Sequence, residues 1–195
     1  MPQAPSAPEP QRANVQYPGG LAARYRWGGS GSGASVFGLS EAGGTLNDYG
    51  ALISPQPDRL CRAELRVEGP LGVWTARLAS SIFDTPEGVV WDTPGLLAVK
   101  YGFATYAFDS RSGELRWHFL SRSPLLTVLA SSRLSHLLVQ SELATHALSE
   151  AGDVIWRAAH SDVVVGAEMV AGRLVLTSYS GLLQSLDPLT GRPAS

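Results

Sequence analysis

Residues 96–117, LLAVKYGFATYAFDSRSGELRW, decide the fold. Segments 96–101 and 104–108 are short runs rich in apolar, aromatic and β-branched residues, broken by Gly102, which is the pattern of a β-hairpin. A second turn follows at Asp109-Ser110-Arg111-Ser112-Gly113. There an Asp carboxylate accepts from a backbone N–H two residues on, and Gly supplies positive φ. A strand over 114–117 then ends on Trp117.

Looser copies of this stretch make up most of the chain. Ala144-Thr145-His146-Ala147-Leu148-Ser149 parallels Ala104-Thr105-Tyr106-Ala107-Phe108-Asp109, and the step from Gly152 to Trp156 repeats the step from Gly113 to Trp117. A third copy over 183–191 keeps Asp187 and Gly191 in register. Upstream, 60–65 leads through Gly69 to Trp74, and 23–27 looks like the last strand of a unit, ending on Trp27. Trp27, Trp74, Trp117 and Trp156 thus mark a period near 40 residues, and four short strands per period signal a β-propeller of about four blades. No stretch sustains a 3.6-residue apolar period, so an all-β chain is expected.

The segment Ala107-Phe108-Asp109-Ser110-Arg111-Ser112-Gly113-Glu114-Leu115-Arg116-Trp117 resembles the tryptophan-docking motif of quinoprotein-type (PQQ-like) β-propellers, A-x-D-x-x-[ST]-G-x-x-x-W. The copy ending at Trp156 is one residue short and has Ser149 for Asp, and the copy from Ser185 lacks the Trp. The resemblance covers roughly residues 60–195. It implies that Trp27, Trp74, Trp117 and Trp156 are structural docking residues, each filling the wedge between adjacent blades. Because the family includes dehydrogenases and outer-membrane assembly scaffolds, it specifies a fold and leaves activity open. Rings of seven or eight blades are usual there, so half of a shared eight-bladed ring is the alternative to a four-bladed one.

The domain expectation is a disordered Pro-rich tail over 1–20, with Pro2, Pro5, Pro8, Pro10 and Pro18, followed by a propeller repeat domain over 21–195. The first unit would use strands at 35–39, 49–54 and 60–65 and close at Trp74. The second would use 88–91, 96–101, 104–108 and 114–117. The third has 125–130, 134–140, 144–148 and 154–156. The fourth has 163–170, 173–178 and 182–187 and lacks a last strand, which the segment 21–27 is expected to supply by pairing beside 182–187. The Gly-Ser run 28–33 matches no phosphate-binding spacing and reads as a loop.

Composition narrows the function classes. With 195 residues, 44% apolar content and a net charge of −2, the chain is a globular protein whose sequence shows no basic stripe to displace counterions from a phosphate backbone, so nucleic acid is not an expected partner. Lys100 is the only lysine, and the fourteen arginines look scattered along the chain and read as surface residues rather than as a recognition site. Cys61, the single cysteine, permits no internal disulfide and reads as a buried structural thiol. No run is long enough for a membrane span, and residues 1–18 lack the apolar core of a signal peptide. Cytoplasmic is the default localisation, and periplasmic the alternative if an export signal has been removed.

Chemistry-bearing patterns are sparse. His118, His136, His146 and His160 show no paired metal spacing, the G-x-S-x-G elbow is absent, and turn geometry accounts for Asp109 and Asp187. No catalytic residue, metal site or cofactor is therefore assigned. A quinone-dependent dehydrogenase, the enzyme that the resemblance brings in, would need about eight blades, a calcium-binding carboxylate set and often adjacent cysteines, none of which the sequence offers. The expected function is a non-catalytic binding or scaffold module with a protein partner, as a monomer or homodimer. A quinone- or other small-molecule-binding propeller is the alternative. Trp91, set between acidic proline turns with Asp92, is together with Tyr101 the candidate interaction site, the competing reading being that Trp91 is ordinary core.

Overall fold

A computed structural model describes residues 10–28 and 47–194. By contacts the chain divides into two compact units, Met1–Pro86 with Arg111–Gly113, and Glu87–Ser110 with Glu114–Ser195. The expected strand at 35–39 and the Gly-Ser loop beyond Gly28 lie outside the described residues.

In the first unit a single sheet holds β1 (Gln11–Tyr17), β2 (Leu21–Trp27), β3 (Asn47–Asp48), β4 (Cys61–Gly69) and β5 (Gly72–Ser80) in the order β1-β2-β4-β5-β3, with β3 parallel to β5 and the other pairs antiparallel. The strands alternate over most of their length. Ala23, Tyr25, Trp27, Ala63, Leu65, Val67, Ala76 and Leu78 are buried on one face, while the residues between them carry the polar face. Cys61 is fully buried, as its alternating run implied.

Three expectations fail in this unit. Residues 11–20 are not part of a disordered tail, because Ala13, Val15 and Tyr17 alternate with polar residues and Pro18-Gly19-Gly20 turns the chain back as a hairpin, both glycines at positive φ. Tyr17 and Tyr25 hydroxyls meet at 2.9 Å across it. Segment 49–54 is not a strand but carries a single helical turn, α1 (Gly50–Ile53), started by Asp48 Oδ1 accepting from the Gly50 amide at 2.8 Å. Its Ala51 and Leu52 are exposed, so the apolar run has no sheet to join. Finally, β2 does not complete the sheet of 182–187. It is an interior strand whose two edges are occupied by β1 and β4, which leaves no backbone donors or acceptors for a further neighbour.

The second unit holds two four-stranded antiparallel meanders and one of three strands. The first is β6 (Glu87–Trp91), β7 (Leu96–Tyr101), β8 (Ala104–Asp109) and β9 (Leu115–Leu120). The second is β10 (Leu125–Leu129), β11 (Leu137–Ser141), β12 (Ala144–Leu148) and β13 (Val154–Ala159). The third is β14 (Val164–Val170), β15 (Arg173–Ser178) and β16 (Leu183–Leu186). The middle strands β7, β8, β11 and β12 are buried nearly throughout, whereas β9 and β13 alternate, as expected where middle strands are covered on both faces and last strands on one. Both complete meanders carry a bulge at the same repeat position, between Ala107 and Phe108 and between Ala147 and Leu148. Beyond β16 the chain turns at Asp187 and begins to pair back, with Ala194 donating to the Ser185 carbonyl at 2.8 Å.

Among the described residues the protein is thus nearly all β, in four sheets of blade size, with α1 as the one α-helical turn. Among the described residues, no helix is long and apolar enough to cross a membrane.

Candidate interaction site

The structure separates the residues that the sequence had grouped. Trp91 ends β6 and is 2% exposed, packed in a core cluster with Leu96, Ala98, Leu125 and Val128, and Tyr101 at the end of β7 is fully buried. Asp92 alone is exposed, in the turn closed by Gly95 donating to the Asp92 carbonyl at 3.0 Å. Trp91 and Tyr101 therefore cannot serve as surface anchors. The competing reading of Trp91 as ordinary core is the one that holds, because its indole packs against the apolar residues of neighbouring strands.

Among the four indoles expected to dock, Trp27 differs from the rest. It lies on the interior strand β2, 5% exposed, opposite Gln11 and Ala63. Trp74, Trp117 and Trp156 each lie against a glycine of the following repeat, Gly113, Gly152 and Gly191 respectively, so closely that a Cβ there would collide with the ring.

A polar cluster is buried around β12. Thr145 donates to Gln140 Oε1 at 2.6 Å and meets His160 Nε2 at 2.8 Å; since its one hydroxyl proton goes to Gln140, His160 Nε2 must be the donor. Ser123 donates to Ser141 at 2.9 Å alongside. His146 is pushed down to about 4, first by burial and then by the positive charge of Arg157, and its ring tilts against Phe119 with centroids 4.8 Å apart. Burial also lowers His160, and the positive charge of Arg157 reinforces it. Both imidazoles are thereby held neutral at ordinary pH. With its hydroxyl proton already given to Gln140, Thr145 is not activated by His160, so the cluster secures the sheet and lacks a nucleophile–base pair. Among the described residues, no group of three or more His, Cys, Asp or Glu gathers where it could hold a metal.

The feature with the geometry of a binding site is the β15–β16 hairpin. Tyr179 is 81% exposed, Leu182 70% and Leu183 72%, and Val165 of the neighbouring β14 stands half out of the surface. The tip is fixed by hydrogen bonds. Asp162 accepts from Val163 N at 2.8 Å, from Ser180 N at 3.2 Å and from Ser180 Oγ at 2.5 Å. Ser178 Oγ accepts from Leu182 N at 3.1 Å, and Tyr179 N donates to the Val163 carbonyl at 2.7 Å. The Ser180 hydroxyl and amide, followed by the Ser178 hydroxyl, hold the Asp162 carboxyl below the usual carboxylate range. An aromatic and two leucines are thus presented by a pinned turn. The expected strands 173–178 and 182–187 placed a turn here but left the exposure of its flanks unread, although the adjacent Leu182 and Leu183, which would point to opposite faces of the expected strand, were the available signal.

No protein-family model and no curated protein matches the chain. Among solved structures it is similar to BamB from Moraxella catarrhalis, at 16% identity and TM-score 0.53 over 94% of this chain and 62% of that one. It is also similar to HIRA(644-1017), at 12% identity and TM-score 0.52 over 98% of this chain and 57% of that one. A third likeness is to the dihydro-heme d1 dehydrogenase NirN, at 12% identity and TM-score 0.53 over 73% of this chain and 36% of that one. The chain spans less than two thirds of each of these proteins. BamB and HIRA are β-propellers, and with the four blade-like sheets the likeness shows a β-propeller fold for this chain.

Proposed function

We propose that this protein is a non-catalytic β-propeller module that binds a protein partner, with the β15–β16 hairpin as its anchor. The observation that carries this reading is the exposure of Tyr179, Leu182 and Leu183 on a turn immobilised by Asp162. Large apolar side chains left in water are unfavourable unless something covers them, and Tyr is enriched among residues that dominate binding energy. A turn that is already rigid loses little conformational entropy on binding, so more of the contact energy appears as affinity. The propeller fold suits such a role, because its strands form a scaffold on which turns and loops are displayed. The likeness to BamB and HIRA supports a scaffold reading at the level of fold.

The test is to identify the partner by cross-linking from position 179 and then to measure its affinity for Tyr179→Ser and Leu182→Ser. Loss of roughly 30-fold or more in affinity with an unchanged melting curve is expected, as for a hot spot of about 2 kcal/mol. Binding that is indifferent to both substitutions would overturn the assignment. Self-association of the wild type, abolished by the same substitutions, would identify the partner as a second copy.

A further inference from the structure

The arginines that look scattered in the sequence converge on one face of one sheet. Cross-strand pairing places Arg12 opposite Arg26, Arg26 opposite Glu64 and Glu64 opposite Arg77; in the adjacent row Asn14 faces Arg24, Arg24 faces Arg66 and Arg66 faces Thr75. Arg62, two residues before Glu64, shares the face. Six guanidinium groups therefore stand on the polar side of β1, β2, β4 and β5. Against them, among the described residues, stand three carboxylates, Glu64, Glu68 and Asp48. The local excess is positive on a chain whose net charge is −2.

The internal ion pairs do not use up that excess. Arg26 is bonded to Glu64 at 2.7 Å and Arg66 to Glu68 at 3.0 Å, while Arg62 and Arg77 share Asp48 at 3.8 and 3.7 Å. Arg24 reaches Glu68 only at 3.9 Å and keeps 65% of its side chain in solvent, and Arg12 is exposed. Two arginine–arginine juxtapositions, Arg12 with Arg26 and Arg24 with Arg66, sit directly across strands, where like charges destabilise a sheet. Folding alone gives no reason to place them there, and local rules are broken most often where a surface has work to do.

We propose that this arginine face binds an acidic, extended polypeptide segment. Arg24 and Arg26, two residues apart on one strand, are spaced by roughly 6.8 Å, the same interval as carboxylates at alternate positions of an extended chain. The cleft above them, ≈ 610 Å³, is lined by Arg12, Asn14, Arg24, Arg26 and Arg66, with Glu64 as its one carboxylate. Guanidinium groups favour carboxylates through paired N–H donors. Glu64 and Glu68 interrupt the cations, which suits discrete carboxylates that fit between them and disfavours a continuous phosphate backbone. This surface is independent of the hairpin anchor and lies in the other unit, so the two readings fail separately.

The experiment is fluorescence anisotropy with a labelled ten-residue peptide alternating Glu and Thr, titrated with the whole protein at about 50 mM salt. Saturable binding is expected, weakening at least tenfold when salt is raised to about 300 mM, as screening of exposed charges requires. R12E/R24E should lose at least tenfold in affinity with an unchanged melting curve, because both side chains are exposed, and Tyr179→Ser should bind the peptide as wild type does. Absence of peptide binding, or binding that R12E/R24E retains, would overturn the proposal. A double-stranded DNA oligonucleotide that binds as tightly as the peptide would also overturn it, by reassigning the face to phosphate.

Discussion

Gly152 lies beneath the indole of Trp117: a Cβ at residue 152 would stand 2.7 Å from the ring, and the Trp117 Nε1 donates to the Glu150 carbonyl at 2.9 Å. The glycine serves two purposes at once, since its φ of 86° is unfavourable for any side chain and its bare Cα lets the ring approach. Gly172, at φ 79°, has the same backbone demand but nothing within 4 Å of its missing Cβ. Comparing the two separates conformation from packing. Gly172→Ala should cost about 1–2 kcal/mol from backbone strain alone. Gly152→Ala should cost about 1–3 kcal/mol more, because the ring must shift as well. Denaturant melts of both variants check this, and equal losses would show that the indole contact carries no energy.

Trp117→Ala removes the other half of that contact. The ring is half-buried, so a loss near the low end of the range for large aromatic truncations, about 3 kcal/mol, is expected. A midpoint unchanged within error would remove the ring from any structural role.

Trp91→Ala should behave as a core deletion. With the indole 2% exposed among Leu96, Leu125 and Val128, the expected cost is about 3–5 kcal/mol, with partner affinity unchanged once the folded fraction is allowed for. A variant that melts normally but loses binding would restore Trp91 as an interaction residue.

Stability should fall in mild acid. The folded-state pKa of His146 is about 4 against 6.5 when unfolded, so between these values the unfolded chain binds more protons than the folded one. The contribution is complete above pH 6.5 and is lost progressively as pH falls toward 4. His160, shifted the same way, steepens the decline. Urea midpoints measured from pH 7 to 4 should drop less for His146→Gln than for wild type, and parallel profiles would contradict the burial argument.

Asp162→Ala should loosen the hairpin tip without unfolding its sheet. Amide exchange at Ser180 is expected to quicken while the amides of β15 stay protected, and partner binding through Tyr179 should weaken by the entropy of re-ordering the turn. Unaltered exchange at Ser180 would mean that Asp162 does not hold the tip.

The sequence by itself determined the all-β class, the repeat, and several strands to the residue, including β2, β7, β12 and β15. Alternation, β-branched content and Asp-Gly turn chemistry are local properties, and they set the backbone wherever a strand spans five or six residues. The tertiary structure decided which faces are covered. The alternation of Ala13, Val15 and Tyr17 was present in the sequence but outweighed by surrounding prolines, and it became a strand because β2 lay ready beside it. Trp91 with Tyr101 was open in the sequence between a surface site and, for Trp91, ordinary core, and the neighbouring strands decided for core by enclosing both. Arg12, Arg24, Arg26, Arg66 and Arg77 come from four strands, and only pairing register makes them neighbours. A strand's pattern fixes that its side chains alternate, but burial and charge density depend on which distant strand arrives against each face, and that information is not local.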